Sequence, residues 1–358
     1  MDARHATGLP VDLPEWQQFQ HNDNLRSIGL SERQIKQIWR RQGDVTVEVP
    51  KRDGTMRKCM GPNAVQKMLS MSLYRFLLRQ HEDGAGLWSD DVAFGFVPRH
   101  SNLDAAKTVE RWLAQNEDAV VAHCDLKGAF GAVDVHGVRS ALLRAGLTGW
   151  NCELAVRLLT RPNEVGQQVL TTGNPVSPLI LNSACIELDD RLRKLAKGRG
   201  GVAVRYADDI VVTGIGNKSR SLRNQLLDAV RASGFTPHPK KQGSTRSSQR
   251  PHSRRYVAVE VVGVIVERSE YRKRHDGAYS THRMTAPQRF HDLIRAMEHR
   301  GSDETDPRYR GRTQYAEACR TWSRDKPLWD VNEATQRVEA RHRDLLALRE
   351  QRRNSREH

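Results

Sequence analysis

Three acidic residues raise the question of what this chain does. Asp208 and Asp209 stand side by side in Arg205-Tyr206-Ala207-Asp208-Asp209-Ile210-Val211-Val212, with apolar β-formers on both sides. The pattern predicts a hairpin with both acids at its tip. Adjacent carboxylates repel one another unless a cation neutralises them, and oxygen-only ligands of this kind suit Mg²⁺. A third acid, Asp125, ends the apolar run Val120-Val121-Ala122-His123-Cys124, and Phe130 follows five residues later. Brought beside the hairpin, Asp125 would complete a site able to hold two Mg²⁺ ions roughly 3.5–4 Å apart, the arrangement of in-line phosphoryl transfer. A lone Asp-Asp turn or a lone strand-end aspartate is ordinary surface chemistry. The combination points to a site.

Such acids need elements to position them. Val120 to Leu126 reads as a buried strand, and an amphipathic helix with Val138, Leu142 and Ala145 on one side runs to Gly146. Gly173-Asn174-Pro175-Val176-Ser177-Pro178 reads as a stiffened loop in which Gly173 permits a tight turn close to a ligand. Past it, Ile180, Ala184, Leu188 and Leu192 share a helical face. Upstream, Val45 to Arg57 reads as strand, Asp53-Gly54 turn, strand. Downstream, Arg268 to Gly277 reads as a charged connector. A helix carrying Phe290, Leu293, Ile294 and Met297 follows, then a polar loop from Gly301 to Gly311 and a last helix from Val331 to Leu348. Residues 1–28 read as a polar arm, with a helix beginning near Ser31.

Charge narrows the partner. The 358 residues carry a formal net charge of +15, which favours a polyanion. From Gly234 to Val259 there is no acid, while Lys240, Lys241, Arg246, Arg250, Arg254 and Arg255 all appear. Beside a phosphate-transfer site this run suits backbone contact with nucleic acid, with strongly salt-dependent binding. The five cysteines show no CxxC spacing, which excludes a familiar zinc site and suggests a reducing compartment. No apolar run approaches a membrane span and no signal-peptide pattern opens the chain, so a cytoplasmic location away from membranes is expected.

Taken together, these elements resemble the palm of reverse transcriptases, over roughly residues 45–300. Asp125 to Phe130 resembles the family's first metal-binding motif with its sugar-screening aromatic, and Tyr206 to Asp209 resembles its Tyr-x-Asp-Asp box. Gly173 to Pro178 is similar to the loop under template and nucleotide, although Thr171-Thr172 stand where many members carry Pro-Gln. Gly234-Phe235 with Lys240-Lys241 resembles the motif whose lysine lies near the nucleotide phosphates, and Val261 to Val264 the strand that grips the primer. Pro50-Lys51-Arg52-Asp53-Gly54-Thr55-Met56-Arg57 and Gly95-Phe96-Val97-Pro98-Arg99-His100-Ser101 resemble two bacterial fingers motifs.

The resemblance implies an α+β right-hand polymerase. Its parts would be an N-terminal extension (1–40), fingers (41–118), a palm with an antiparallel sheet and helices (119–266), and a helical thumb with a basic tail (267–358). It implies RNA-directed DNA synthesis with two Mg²⁺ ions, Mn²⁺ being the alternative, held by Asp125, Leu126, Asp208 and Asp209. Lys241 would be the proton donor. Lys51, Arg57, Phe130 and Gly173 would meet the nucleotide; for phosphate, arginine offers a fork and lysine a point charge. Arg99, Ser101, Ser177, Tyr206, Gly263, Arg246, Arg250, Arg254 and Arg255 would meet nucleic acid. The partners implied are an RNA template and primer, the RNA–DNA hybrid, dNTPs, and in retron or antiviral-defence enzymes a dedicated non-coding RNA and an effector protein. An RNA-dependent RNA polymerase shares the palm, but Phe130 would exclude the 2′-OH. A catalytically silent RNA-binding protein would have no need for three acids together.

Overall fold

The computed structural model describes residues 45–50, 56–250, 253–273, 277–303 and 305–324. In chain order the elements are β1 (Val45–Pro50), β2 (Met56–Gly61), α1 (Ala64–Gln80), α2 (Asn102–Gln115), β3 (Ala119–Leu126), α3 (Val135–Arg144), α4 (Gly149–Leu159), β4 (Thr160–Pro162) and β5 (Gln168–Leu170). There follow α5 (Ser177–Ala184), α6 (Ile186–Lys197), β6 (Ala203–Tyr206), β7 (Asp209–Ile215), α7 (Ser219–Ala232), β8 (Pro237–Arg246) and β9 (Ser248–Arg250). The last are β10 (Ser253–Val261), β11 (Val264–Lys273), β12 (Gly277–Thr285), α8 (Gln288–His299) and α9 (Pro307–Arg324). Helices with antiparallel sheets make this an α+β fold, as expected.

The chain divides into two units, each drawn from separated stretches. The first comprises Met1–Asp90, Leu126–Asp189 and Ala232–Thr236. In it β1 and β2 form the expected antiparallel hairpin, Val45 opposite Gly61 and Pro50 opposite Met56. Helix α1 starts at a capping box in which Asn63 and Gln66 each satisfy the other's backbone N–H, two donors a helix start otherwise leaves open. The loop before α5 lies against β2: Met60 N–H donates to the Thr172 carbonyl at 2.8 Å. The single helix expected past Pro178 is two, α5 and α6, broken at Cys185, and Ile180, Leu188 and Leu192 are buried as the spacing requires.

The second unit comprises Asp91–Asp125, Asp190–Arg231 and Pro237–His358. One of its sheets has the order β6-β7-β3-β8. Apart from half-buried His123, β3 is buried throughout, and the five central residues of β7 are buried too, so their β-branched residues are covered on both faces. The other sheet runs β12-β11-β10-β9. Helix α2 supplies Ala105, Ala106, Val109, Trp112 and Leu113 to one apolar cluster with residues of both sheets, among them Val121, Val211, Val259 and Val266. Its capping box at Ser101 and Asp104 sets where the helix begins.

The stretch expected as a charged connector is instead a long hairpin, β11 paired with β12 from Ile265↔Thr285 to Lys273↔Gly277. Its charge density masks the strand, because the backbone ladder continues past the buried end at Val264, Val266 and Met284. The basic run is likewise built from strands, β8, β9 and β10. Gly301 to Gly311 is only partly loop, since α9 begins at Pro307. The N-terminal arm, the helix near Ser31 and the last helix at Val331 to Leu348 lie outside the described residues.

Strand β8 approaches β3 through a glycine. A Cβ built on Gly243 would sit 2.7 Å from Cε1 of His123, so a larger residue must displace the His123 ring or the strand that carries it. Overpacking of this kind should make Gly243→Val melt roughly 3–6 °C below the parent chain in calorimetry. An unchanged melting temperature would show slack between the two strands.

Candidate active site

Asp208 occupies a two-residue turn. Tyr206 and Asp209 are the closing pair of the β6–β7 hairpin, which leaves Ala207 and Asp208 as the loop. Ala207 has φ 58, a left-handed conformation that favours glycine or asparagine in such turns. Its neighbours hold it there. Arg205, fully buried, donates from Nη1 to the Ala207 carbonyl at 3.1 Å. The backbone of Val92 to Phe94 docks along β6: Arg205 N–H donates to the Val92 carbonyl at 2.7 Å and Phe94 N–H to the Arg205 carbonyl at 2.8 Å.

Register brings in the third acid. Strands β3 and β7 pair antiparallel so that Asp125 is the Cα partner of Asp209. Asp125 is buried, and its Oδ2 accepts from Lys241 Nζ at 2.8 Å, while the Lys241 side chain keeps 61% of its surface exposed. Strand β8 thus delivers a countercharge to β3. Burial, then the negative charges of Asp208 and Asp125, push the Asp209 carboxyl up to about 6; Lys241 opposes and Glu260 adds to the rise. The hydrogen bond to Asp125, reinforced by the other carboxylates, holds the Lys241 ammonium above the ordinary lysine value. Burial, Asp125 and Asp209 push the Cys124 thiol up to about 12, so it is inert as a nucleophile.

Among the described residues, no three His, Cys, Asp or Glu side chains converge as a ready-made metal cage. The donor set still fits a hard divalent cation. It is all oxygen, Asp209 remains accessible, and its raised pKa is partly the like-charge repulsion that a cation relieves.

The other expected residues divide between the two units. Tyr206, Gly263, Arg99, Ser101 and Arg246 belong with the three acids in the second unit. Ser101 has its hydroxyl engaged with Asp104 at 2.6 Å, a helix-capping task that accounts for its identity. Gly263 (φ 80) and Val262 (φ 49) form the β10–β11 turn, where Asn102 Nδ2 donates to the Val262 carbonyl at 3.3 Å and to the Tyr315 hydroxyl at 2.8 Å. Arg246 is exposed on β8. The side chains of Arg250, Arg254 and Arg255 lie outside the described residues, although their backbones are in β9 and β10.

Leu126, Phe130, Gly173 and Ser177 belong to the first unit. Leu126 is buried at the end of β3, and half-buried Phe130 opens a short 3₁₀ turn, Phe130–Ala132. Gly173, at φ 113, lies against β2, where a Cβ would meet the Met60 carbonyl oxygen at 3.1 Å. Ser177 is fully buried, not in the solvent-facing position that contact with nucleic acid requires. Lys51 lies outside the described residues, and so does the side chain of Arg57. Sequence reading missed the structural part of Arg205 and the field of Glu260, an exposed residue of β10 that raises the pKa of Asp209. A buried arginine beside an Asp-Asp turn carries no periodic signal.

Residues 49–261 match the family model described as reverse transcriptase (RNA-dependent DNA polymerase). The chain is 30% identical over 230 residues to the retron Mx162 reverse transcriptase of Myxococcus xanthus, covering 58% of this chain and 45% of that protein. It is 31% identical over 185 residues to the retron Mx65 reverse transcriptase of the same organism, covering 48% and 40%. The match thus spans less than half the length of these relatives. Among solved structures, apo telomerase from Candida tropicalis truncated from the C-terminal domain is similar with a TM-score of 0.41 and 11% identity, over 62% of this chain and 53% of that one.

The raised Asp209 pKa sets a pH signature. A carboxyl whose folded pKa exceeds its unfolded value destabilises the fold when charged; the penalty is absent below the ordinary value of 3.8 and grows as pH rises to about 6. In metal-free buffer at pH 8, Asp209→Asn should therefore melt roughly 2–4 °C above the parent, after discounting for its accessible edge. The gap should close by pH 4. A gain that persists at pH 4 would point to packing instead of charge.

Proposed function

Because the chain belongs to the reverse transcriptase (RNA-dependent DNA polymerase) family, we propose that it synthesises DNA on an RNA template. The observation that supports this most is the registered pair Asp125 and Asp209, with Asp208 in the adjoining turn and Lys241 bonded to Asp125. Asp125, Asp208 and Asp209, with Leu126 beside them, would hold two Mg²⁺ ions or Mn²⁺ in their place. When bound, such ions lower the pKa of an attacking hydroxyl and neutralise a leaving pyrophosphate. The protein's own part is to fix the acids on rigid paired strands and to supply a proton. The Lys241 ammonium is protonated at neutral pH and exposed, so it can give its proton to a departing pyrophosphate oxygen.

Phe130 is read as the residue that excludes a ribose 2′-OH, and Gly173 with Lys51 and Arg57 as the nucleotide side of the site. Residues 41–118, 119–266 and 267–358 correspond on this reading to fingers, palm and thumb. Arg99, Arg246, Arg250, Arg254, Arg255, Tyr206 and Gly263 would hold the RNA–DNA hybrid, with salt-sensitive affinity. The retron names of the two Myxococcus relatives support a retron-type role with a dedicated non-coding RNA as template. A cytoplasmic setting, antiviral defence and an effector partner complete the proposal. No described helix is long and apolar enough to cross a membrane.

Primer extension on a primed RNA, with dNTPs against NTPs, tests the reading directly. Preference for NTPs would move the chain to RNA synthesis. The variant carrying Asp208→Ala and Asp209→Ala should lose incorporation while still binding RNA, and retention of even about a tenth of parental incorporation would remove these acids from the chemistry. Phe130→Ala should admit NTPs, raising their kcat/KM relative to dNTPs by roughly tenfold or more. Unchanged sugar selectivity would make Phe130 a core residue only.

A further inference from the structure

The turn from Phe94 to Val97 places its glycine and its strain on different residues. Gly95 has no left-handed φ to accommodate, yet a Cβ there would lie 2.3 Å from the Ala207 backbone nitrogen and 2.9 Å from the Tyr206 carbonyl carbon. Glycine stands there because the turn that carries Asp208 leaves no room. The left-handed position is the next one, Phe96 at φ 60. A bulky side chain in that region is a genuine outlier, and glycine or asparagine would relax it.

Folding draws no evident benefit from Phe96. Phe94 and Val97 are both buried at 7% exposure and anchor the segment, while Phe96 stands out at 45%. Its ring centroid is 6.3 Å from that of Tyr206, at 37°. Backbone strain and exposed aromatic surface both point to a partner from outside the chain. That partner must approach where Tyr206 does, two residues from Asp208. The same segment carries exposed Arg99 at φ 66, a second left-handed non-glycine residue, now with positive charge. An aromatic face followed by a guanidinium matches a nucleic-acid strand, whose bases and sugars pack on rings while its phosphates seek cations.

We propose that Phe96, together with Tyr206, forms an aromatic shelf beside Asp208 and Asp209 that receives the sugar–base face of the nucleic-acid strand whose end reacts. The proposal rests on the polymerase reading for the identity of that strand. Ring–base packing of this kind is sequence-tolerant, which suits an enzyme that must accept every nucleotide in turn.

The test titrates a fluorescent RNA–DNA hybrid with a recessed DNA 3′ end against the full-length chain, without nucleotides, and records melting of each variant. Phe96→Gly and Phe96→Asn remove the ring and suit the left-handed backbone, so both should melt no lower than the parent and bind the hybrid about tenfold more weakly. Phe96→Tyr keeps the ring and should bind within about twofold of the parent. Ringless variants that bind like the parent overturn the shelf, and so does Phe96→Tyr binding as weakly as Phe96→Gly. A parent chain that does not bind the hybrid overturns it as well. Incorporation of dNTPs by the parent reads the polymerase proposal separately. A parent that binds hybrid through Phe96 and incorporates nothing keeps the shelf and removes the polymerase; incorporation with Phe96-insensitive binding does the reverse.

Discussion

Three carboxylates gathered at the joined ends of two strands repel one another, and the second unit is organised around tolerating that repulsion. Antiparallel register sets Asp125 opposite Asp209, and the tight turn leaves Asp208 beside it. The charges cannot drift apart, because buried strands on both sides hold their backbones. One relief is the ammonium of Lys241 on Asp125; another is the reluctance of Asp209 to ionise, with its pKa pushed up to about 6. Neither is complete, and the charge left over makes the site receptive to cations.

Rigidity at this point is assembled from close approaches to backbone, by another segment's backbone or by a side chain. Gly95 lets one segment lie on the Asp208 turn, Gly243 lets β8 close on β3, and buried Arg205 ties the turn carbonyl from within. Each contact is short, and each is made by a residue whose neighbours in sequence give no warning of it. Helix α2 then joins the sheet bearing the acids to the sheet bearing the Val262–Gly263 turn in one apolar cluster.

The legible part of this architecture was the part carried by alternation and by paired polar residues. Asp208 and Asp209 between runs of β-formers announced a hairpin, and Val45 to Arg57 announced another. Asp125, an ordinary strand-end acid by itself, was legible through its combination with Phe130 and the downstream acid pair. What escaped was structure whose signal runs against composition. The residues from Arg268 to Lys273 are too charged to look like a strand, yet a backbone ladder with β12 suffices to make one. Ser177 looked like a loop residue suited to polar contact and is buried, since the helix it begins packs inward from its first residue. Gly95 belonged to a recognisable motif, but only the distance to Ala207 explains why it must be glycine.

The interleaving of the two units bears on how the chain can acquire this structure at all. Each unit is completed only after the chain has left it and come back, and the last crossing falls at Pro237. Strand β3 is flanked in its sheet by β7 and β8, both later in the chain, and Lys241 is 116 residues beyond the aspartate it neutralises. Contacts between residues so distant are slow to form, because loop closure is unfavourable before they are made. A nascent chain emerging from the ribosome therefore carries Asp125 without the countercharge until a further 116 residues have been made, and for much of that interval without either flanking strand of β3. An exposed apolar strand at that stage is an aggregation hazard, which ends only when β8 arrives.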